Sequence, residues 1–189
     1  MKPAVDSARR LVVRPVDIAY VKRGNRPSGD APPSLFVLGK DGAKLFLRFS
    51  VHLPPAANIV EAYVVLHRAH VVDDDPAPVS LHATRIVAPW SGGSMSWAEQ
   101  PAWKESRSPS TVVEPGGTTL VRLDVREFVR HWRRHDPTDQ GIAILAENET
   151  PTGTTFALTA MGADSVDTAR LVRSGLTSGG TAPDVEPYL

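Results

Sequence analysis

Three tryptophans, Trp90, Trp97 and Trp103, fall within fourteen residues near the middle of the chain. An exposed indole is a flat, weakly polar platform that suits the CH-rich face of a sugar ring. A buried indole instead pins a loop through the large area it hides. Trp90 and Trp97 bracket Trp90-Ser91-Gly92-Gly93-Ser94-Met95-Ser96-Trp97-Ala98-Glu99-Gln100-Pro101 and are expected to hold that segment on the core. Trp103 lies beyond the proline and is the candidate carbohydrate platform. Asp73-Asp74-Asp75 groups the hard oxygen ligands that Ca2+ takes, with Asp73 and Asp75 as candidate ligands. The spaced acids and glycine of an EF-hand loop are missing there.

His131 and His135 stand one helical turn apart, with Asp136 next in line. That spacing can share a metal ion, but no HExxH pattern accompanies it and arginine neighbours repel cations. A solvated helix end is expected. His67 and His70 are three apart on a strand and point to opposite faces. Arg126, Arg130, Arg133 and Arg134 make a basic stripe without interleaved aromatics, so no nucleic-acid partner is expected. No GxSxG, P-loop or pair of carboxylates at a recognisable spacing is present, and there is no cysteine. Glu147-Asn148-Glu149 reads as a turn-edge cluster. These residues point to a module that binds or builds, and no cofactor is expected.

The elements that must position them are mostly short strands. Leu11 to Val13 and Ile18 to Val21 are strand pieces separated by Pro15. Residues 23–34 hold three prolines and two glycines and read as a loop. Leu35 to Leu38 is a strand, followed by an expected hairpin turn over Gly39 to Gly42. Ala43 to Val51 alternates Leu45, Leu47 and Phe49 with Lys44, Phe46 and Arg48; apolar residues on both faces predict a central strand. Ile59 to His70 and Val79 to Ile86 alternate too. Trp90 to Glu114 has little periodicity and reads as a long loop. Thr119 to Val125, Gly141 to Ala146, Thr155 to Met161 and Ala169 to Arg173 complete the strands.

The period changes once. Val125, Phe128, Val129 and Trp132 share one face of a helix that runs to His135 and stops at Pro137. Asp124 is the expected N-cap, with Glu127 completing a capping box. The fold predicted is an all-β jelly-roll sandwich with this one amphipathic helix packed on it. Phe49, Trp90, Trp97, Phe128 and Trp132 are its expected structural aromatics. The domain spans 15–173, after an extension over 1–14 and before a Gly/Ser/Pro-rich tail over 174–189.

The order of these pieces resembles the DNRLRE-type β-sandwich domains, jelly-roll modules of surface proteins and of proteins that degrade polysaccharides. The resemblance runs from Val16 to Arg173. It rests on Asp17-Ile18-Ala19-Tyr20-Val21-Lys22-Arg23-Gly24, Leu45-Phe46-Leu47-Arg48-Phe49-Ser50, Ile59 to Leu66, the Trp90…Trp97…Pro101 segment, Leu123-Asp124-Val125 before Phe128-Val129-Trp132, and Gly141-Ile142-Ala143-Ile144. It implies attachment, matrix building or carbohydrate binding rather than catalysis. The Asn-Tyr-Gly element common after the first of these pieces is lacking here.

Charges balance at 21 basic and 21 acidic residues, so net charge implies no polyanionic partner. Their placement is uneven. Residues 1–26 carry seven basic residues against two acidic, and residues 136–189 carry eight acidic against two basic. The plain reading is chance solvation of the surface; the sharper one is end-to-end contact between copies, where complementary fields steer association. The expected partners are therefore other copies of the chain or a larger particle such as a phage or surface assembly, with polysaccharide as the alternative. Val185, Tyr188 and Leu189 of the tail are candidate docking residues for such a partner. A polysaccharide-acting enzyme is the remote third reading. No signal-like h-region and no membrane-length apolar run is visible. A soluble cytoplasmic product is expected, to be incorporated into a particle or exported by an unconventional route.

Overall fold

A computed structural model describes residues 10–24, 34–54, 57–69, 77–134, 139–157 and 169–174, the last stretch as backbone. The strands are β1 (Leu11–Val13), β2 (Pro15–Val21), β3 (Leu35–Leu38), β4 (Lys44–Phe49), β5 (Glu61–Arg68), β6 (Val79–Ile86), β7 (Trp103–Arg107), β8 (Thr111–Val113), β9 (Leu120–Asp124), β10 (Ile142–Ala146), β11 (Thr154–Ala157) and β12 (Ala169–Ser174), with helix α1 (Arg126–Trp132) between β9 and β10. They form two antiparallel sheets. The first contains β1-β12-β5-β11-β3, with β9 on β5. The second runs β2-β4-β10-β6-β7, with β8 also on β6. The chain is an all-β sandwich with one helix.

Crossing between the sheets follows the jelly-roll pattern. β4, β5 and β6 alternate sheets, and β10 returns between β4 and β6. Breaks in the sequence mark these crossings. Pro15 opens β2 at a register shift, and the chain changes sheet there rather than merely interrupting a strand. The Gly39–Gly42 turn is not a hairpin: β3 pairs with β11, whereas β4 pairs with β2 and β10. Gly39, Asp41 and Gly42 all adopt left-handed backbone, at φ 81, 54 and 64, which lets the chain step between layers in four residues.

Alternation fills the space between the sheets. Leu45 and Leu47 of β4, Ala62, Val64 and Leu66 of β5, Val79, Leu81 and Ala83 of β6, and Ile142 and Ile144 of β10 meet in one core. Each of its large side chains contributes about 1.5–3 kcal/mol by leaving water. As its two-faced pattern required, β4 is flanked on both edges and buried on both faces.

The helix is shorter than its periodicity suggested, and its start is built differently. Val125 is the capping residue by backbone geometry, and Asp124 Oδ1 accepts the Arg126 N–H at 2.9 Å. Glu127 turns to Arg130 instead of reaching back, so no capping box forms. Phe128 and Val129 are buried, and Trp132 lies 6.0 Å from the half-buried Phe49. Among the described residues, no helix is long and apolar enough to cross a membrane.

Candidate functional site

Side chains that alternate away from the core make a second apolar surface on the outside of the β2-β4-β10-β6 sheet. Ala19, Val21, Phe46, Ile86 and Ala143 form it. Such a face must be covered, and the segment between β6 and β7 covers it. Met95 is buried there, with Trp90 and Trp97 packed around the cluster. The sequence placed both rings on a core; the structure assigns them to this outer cluster rather than to the space between the sheets.

Two glycines allow the close approach. A Cβ on Gly92 would fall 2.5 Å from the Ile18 carbonyl oxygen, and one on Gly42 would fall 2.5 Å from the Trp97 ring. The cover is thus pressed onto β2 at one end and onto the β3–β4 turn at the other.

Cations on β4 lock the rings. Arg48 lies 5.2 Å from the Trp90 ring centre, donates to the Trp90 carbonyl at 3.2 Å and pairs with Asp17 at 2.5 Å. Lys44 sits between two indoles, 4.4 Å from Trp97 and 4.9 Å from Trp103, and donates to Gln100 Oε1 at 2.8 Å. Arg23 lies 5.7 Å from the Trp97 ring centre. Burial, and then the Arg23 guanidinium, hold the Lys44 ammonium below its usual pKa. Cation–π contacts strengthen as they lose water. Trp90 Nε1 donates to the Gln140 carbonyl at 2.7 Å, and Gln100 Nε2 to the Trp97 carbonyl at 2.6 Å. The polar groups of the cover are therefore bonded to the sheet beneath it and to one another. A shallow depression of about 350 Å3 lies within this cover, lined by Trp90, Met95, Glu99 and Gln100 among others.

Trp103 differs from its two neighbours. It begins β7, an edge strand on which every residue is exposed, and 37% of its surface is open. Phe46 backs the ring at 6.5 Å and Lys44 contacts it, so the indole is held in place while partly facing solvent. Neither β7 nor β8 was expected, because Trp103-Lys104-Glu105-Ser106-Arg107 lacks a buried face to imprint alternation. β7 is also irregular. Arg107 pairs with Thr84 and Trp103 with Ile86, so three residues of β7 bulge past Arg85. The Thr84 hydroxyl bridges the bulge by donating toward the Lys104 and Ser106 carbonyls.

Sequence reasoning also missed a polar cluster where β7 gives way to β8. His82 is on the outward face of β6, yet its side chain is only 5% exposed, with Nδ1 3.7 Å from Glu147 Oε1. Glu147 accepts hydrogen bonds from Ser110 Oγ at 2.6 Å and Ser80 Oγ at 3.1 Å. Burial, then Arg107, hold the His82 pKa below the ordinary histidine value, against a smaller opposite pull from Glu147. The two hydroxyls hold the Glu147 carboxyl below its ordinary value. The outward position of His82 gave no warning of burial, because Trp90 to Glu114 carries no periodicity that would show a cover over that face. Arg85 did leave a signal, a charge in line with Val79, Leu81 and Ala83. It pairs with Asp139 at 3.2 Å, both side chains 5% exposed.

The basic stripe of α1 is spent on the backbone. Arg126, Arg130 and Arg133 donate to the carbonyls of Val60, Ile59 and Ala57. His131 is half-buried, whereas His135 and Asp136 lie outside the described residues. So do Asp73 and Asp75, and the tail residues Val185, Tyr188 and Leu189. Among the described residues, no group of three or more His, Cys, Asp or Glu side chains could hold a metal ion. No family model matches this chain, and no curated protein matches it either.

Proposed function

We propose that this chain is a non-catalytic structural or adhesive subunit, a DNRLRE-like sandwich that works by surface contact with other copies of itself. The observation that carries this reading is the contrast between two parts of one segment. The cover from Trp90 to Gln100 is bonded inward through Arg48, Lys44, Gln140 and Asp17. The strand that follows leaves all five residues exposed and holds Trp103 against Phe46 and Lys44. A rigid, half-exposed tryptophan ringed by charge is the kind of anchor around which protein contacts concentrate. The bulge and the charges on β7 blunt its edge, so contact is made by side chains and not by adding a strand. The basic and acidic ends of the chain add steering between copies. Two differently tagged copies, co-expressed, test the idea. Capture of one tag is expected to retain the other in wild type and to lose it in Trp103→Ala. No retention in wild type would end this reading.

One observation favours a second reading. The partly open Trp103 ring, with Lys104 and Glu105 beside it, also suits a polysaccharide chain. Affinity electrophoresis through polysaccharide gels would then show wild type retarded and Trp103→Ala running freely.

A further inference from the structure

His82 is placed where β6 meets neither β7 nor β8 squarely. β8 pairs with Val79 to Leu81, and β7 with Thr84 and Ile86. The junction between them, Ser108 to Ser110, therefore runs opposite His82 and Ala83. Three contacts hold this junction down. Ser108 N–H donates to the Ala83 carbonyl, Ala83 N–H donates to Ser108 Oγ, and Ser110 Oγ donates to Glu147. Beneath it sits a buried imidazole whose Nδ1 has no hydrogen-bond partner. The charged groups that face it are Glu147, from the turn after β10, and Arg107, from β7. Its neighbours on the same face carry no charge: Ser80 and Thr84 on β6, Leu145 opposite on β10, and Val112 opposite Ser80 on β8.

We propose that His82 is an acid-sensitive pin for the arm formed by β7 and β8: its protonation loosens that arm and so releases the strand that presents Trp103. The imidazole is tolerated there because it is neutral. A proton adds a charge under the junction and a like charge beside Arg107, and the two together outweigh its attraction to Glu147. The sign follows from linkage. His82 is harder to protonate when buried than when the arm is open. The closed arm is therefore favoured above the ordinary histidine pKa of about 6.5, and the advantage is lost as pH falls below it. Glu147 acts in the same direction at lower pH. Its carboxyl is held below the ordinary value, so its two hydroxyl bonds weaken as it protonates in the acid range.

The effect on function rests on reading β7 as the working surface, but the test does not. Amide hydrogen exchange is followed on the full chain alone, at about pH 7.5 and pH 5.5, and corrected for the intrinsic rate. Protection at Ser108 and Thr111 to Val113 is expected to fall by about tenfold, while β4 and β10 change less than about twofold. His82→Gln, which cannot titrate, is expected to abolish the difference. An arm that tracks β4 and β10 at both pH values overturns the proposal, as does a step that survives in His82→Gln. Should that variant not fold, the titration of His82 in the wild type decides: a midpoint at or above the ordinary histidine value refutes the pin. A loosening arm in a chain that contacts nothing would sink the surface reading alone.

Discussion

Phe46 and Trp103 are neighbouring aromatics with opposite duties. Phe46 is fully buried beneath the cover, so Phe46→Ala should cost about 3–5 kcal/mol, read from urea unfolding. Trp103→Ala should cost no more than about 1 kcal/mol, because the ring is partly solvated on an edge strand. Equal costs would mean that Trp103 is a core residue and not a presented one. Gly42 tests how firmly the cover is pressed down. Gly42→Ala forces a methyl into the Trp97 ring at a left-handed backbone position and should destabilise by about 1–3 kcal/mol. Adding Trp97→Ala should recover the part due to the clash, so the two changes should not add. The tryptophan spacing made the division between Trp90, Trp97 and Trp103 legible. The partners were not, because Lys44 and Arg48 reach these rings from a strand some 50 residues away.

The helix is held by a mechanism that its basic stripe disguised. Arg126, Arg130 and Arg133 each donate to a carbonyl of the segment leading into β5. Arg133→Ala leaves the Ala57 carbonyl short of a charged donor and should cost about 1–3 kcal/mol. Matched denaturation curves of the variant and wild type read that loss. Strands with a buried face were legible from alternation: β6 spans Val79–Ile86, as the pattern implied, and β4 lies within Ala43 to Val51. β7 was not, since its exposure removes the pattern that alternation records, and β8, with Val113 buried, is only three residues long and too short to show one. The β3–β4 turn was misread because glycine-rich text describes a sharp corner without saying which strands pair beyond it. The capping box failed on geometry: Arg130 sits 2.6 Å from Glu127 and claims its carboxylate.

At the scale of the molecule, the sandwich commits three layers of side chains: a core between the sheets, a helix across one end, and a tryptophan cover outside the second sheet. Lys44, Arg48 and Arg85 tie those layers together, and β7 is left facing outward. The charge split between the chain ends was legible from composition, but sequence text does not say which surface meets a partner, since that depends on what the cover leaves open. The most direct measurement is sedimentation velocity of the full chain over a wide concentration range at neutral pH, beside Trp103→Ala. A mass above the monomer that grows with concentration is expected in wild type, and a folded monomer in the variant. A wild type that stays monomeric throughout, or a variant that assembles as well as wild type, would contradict it.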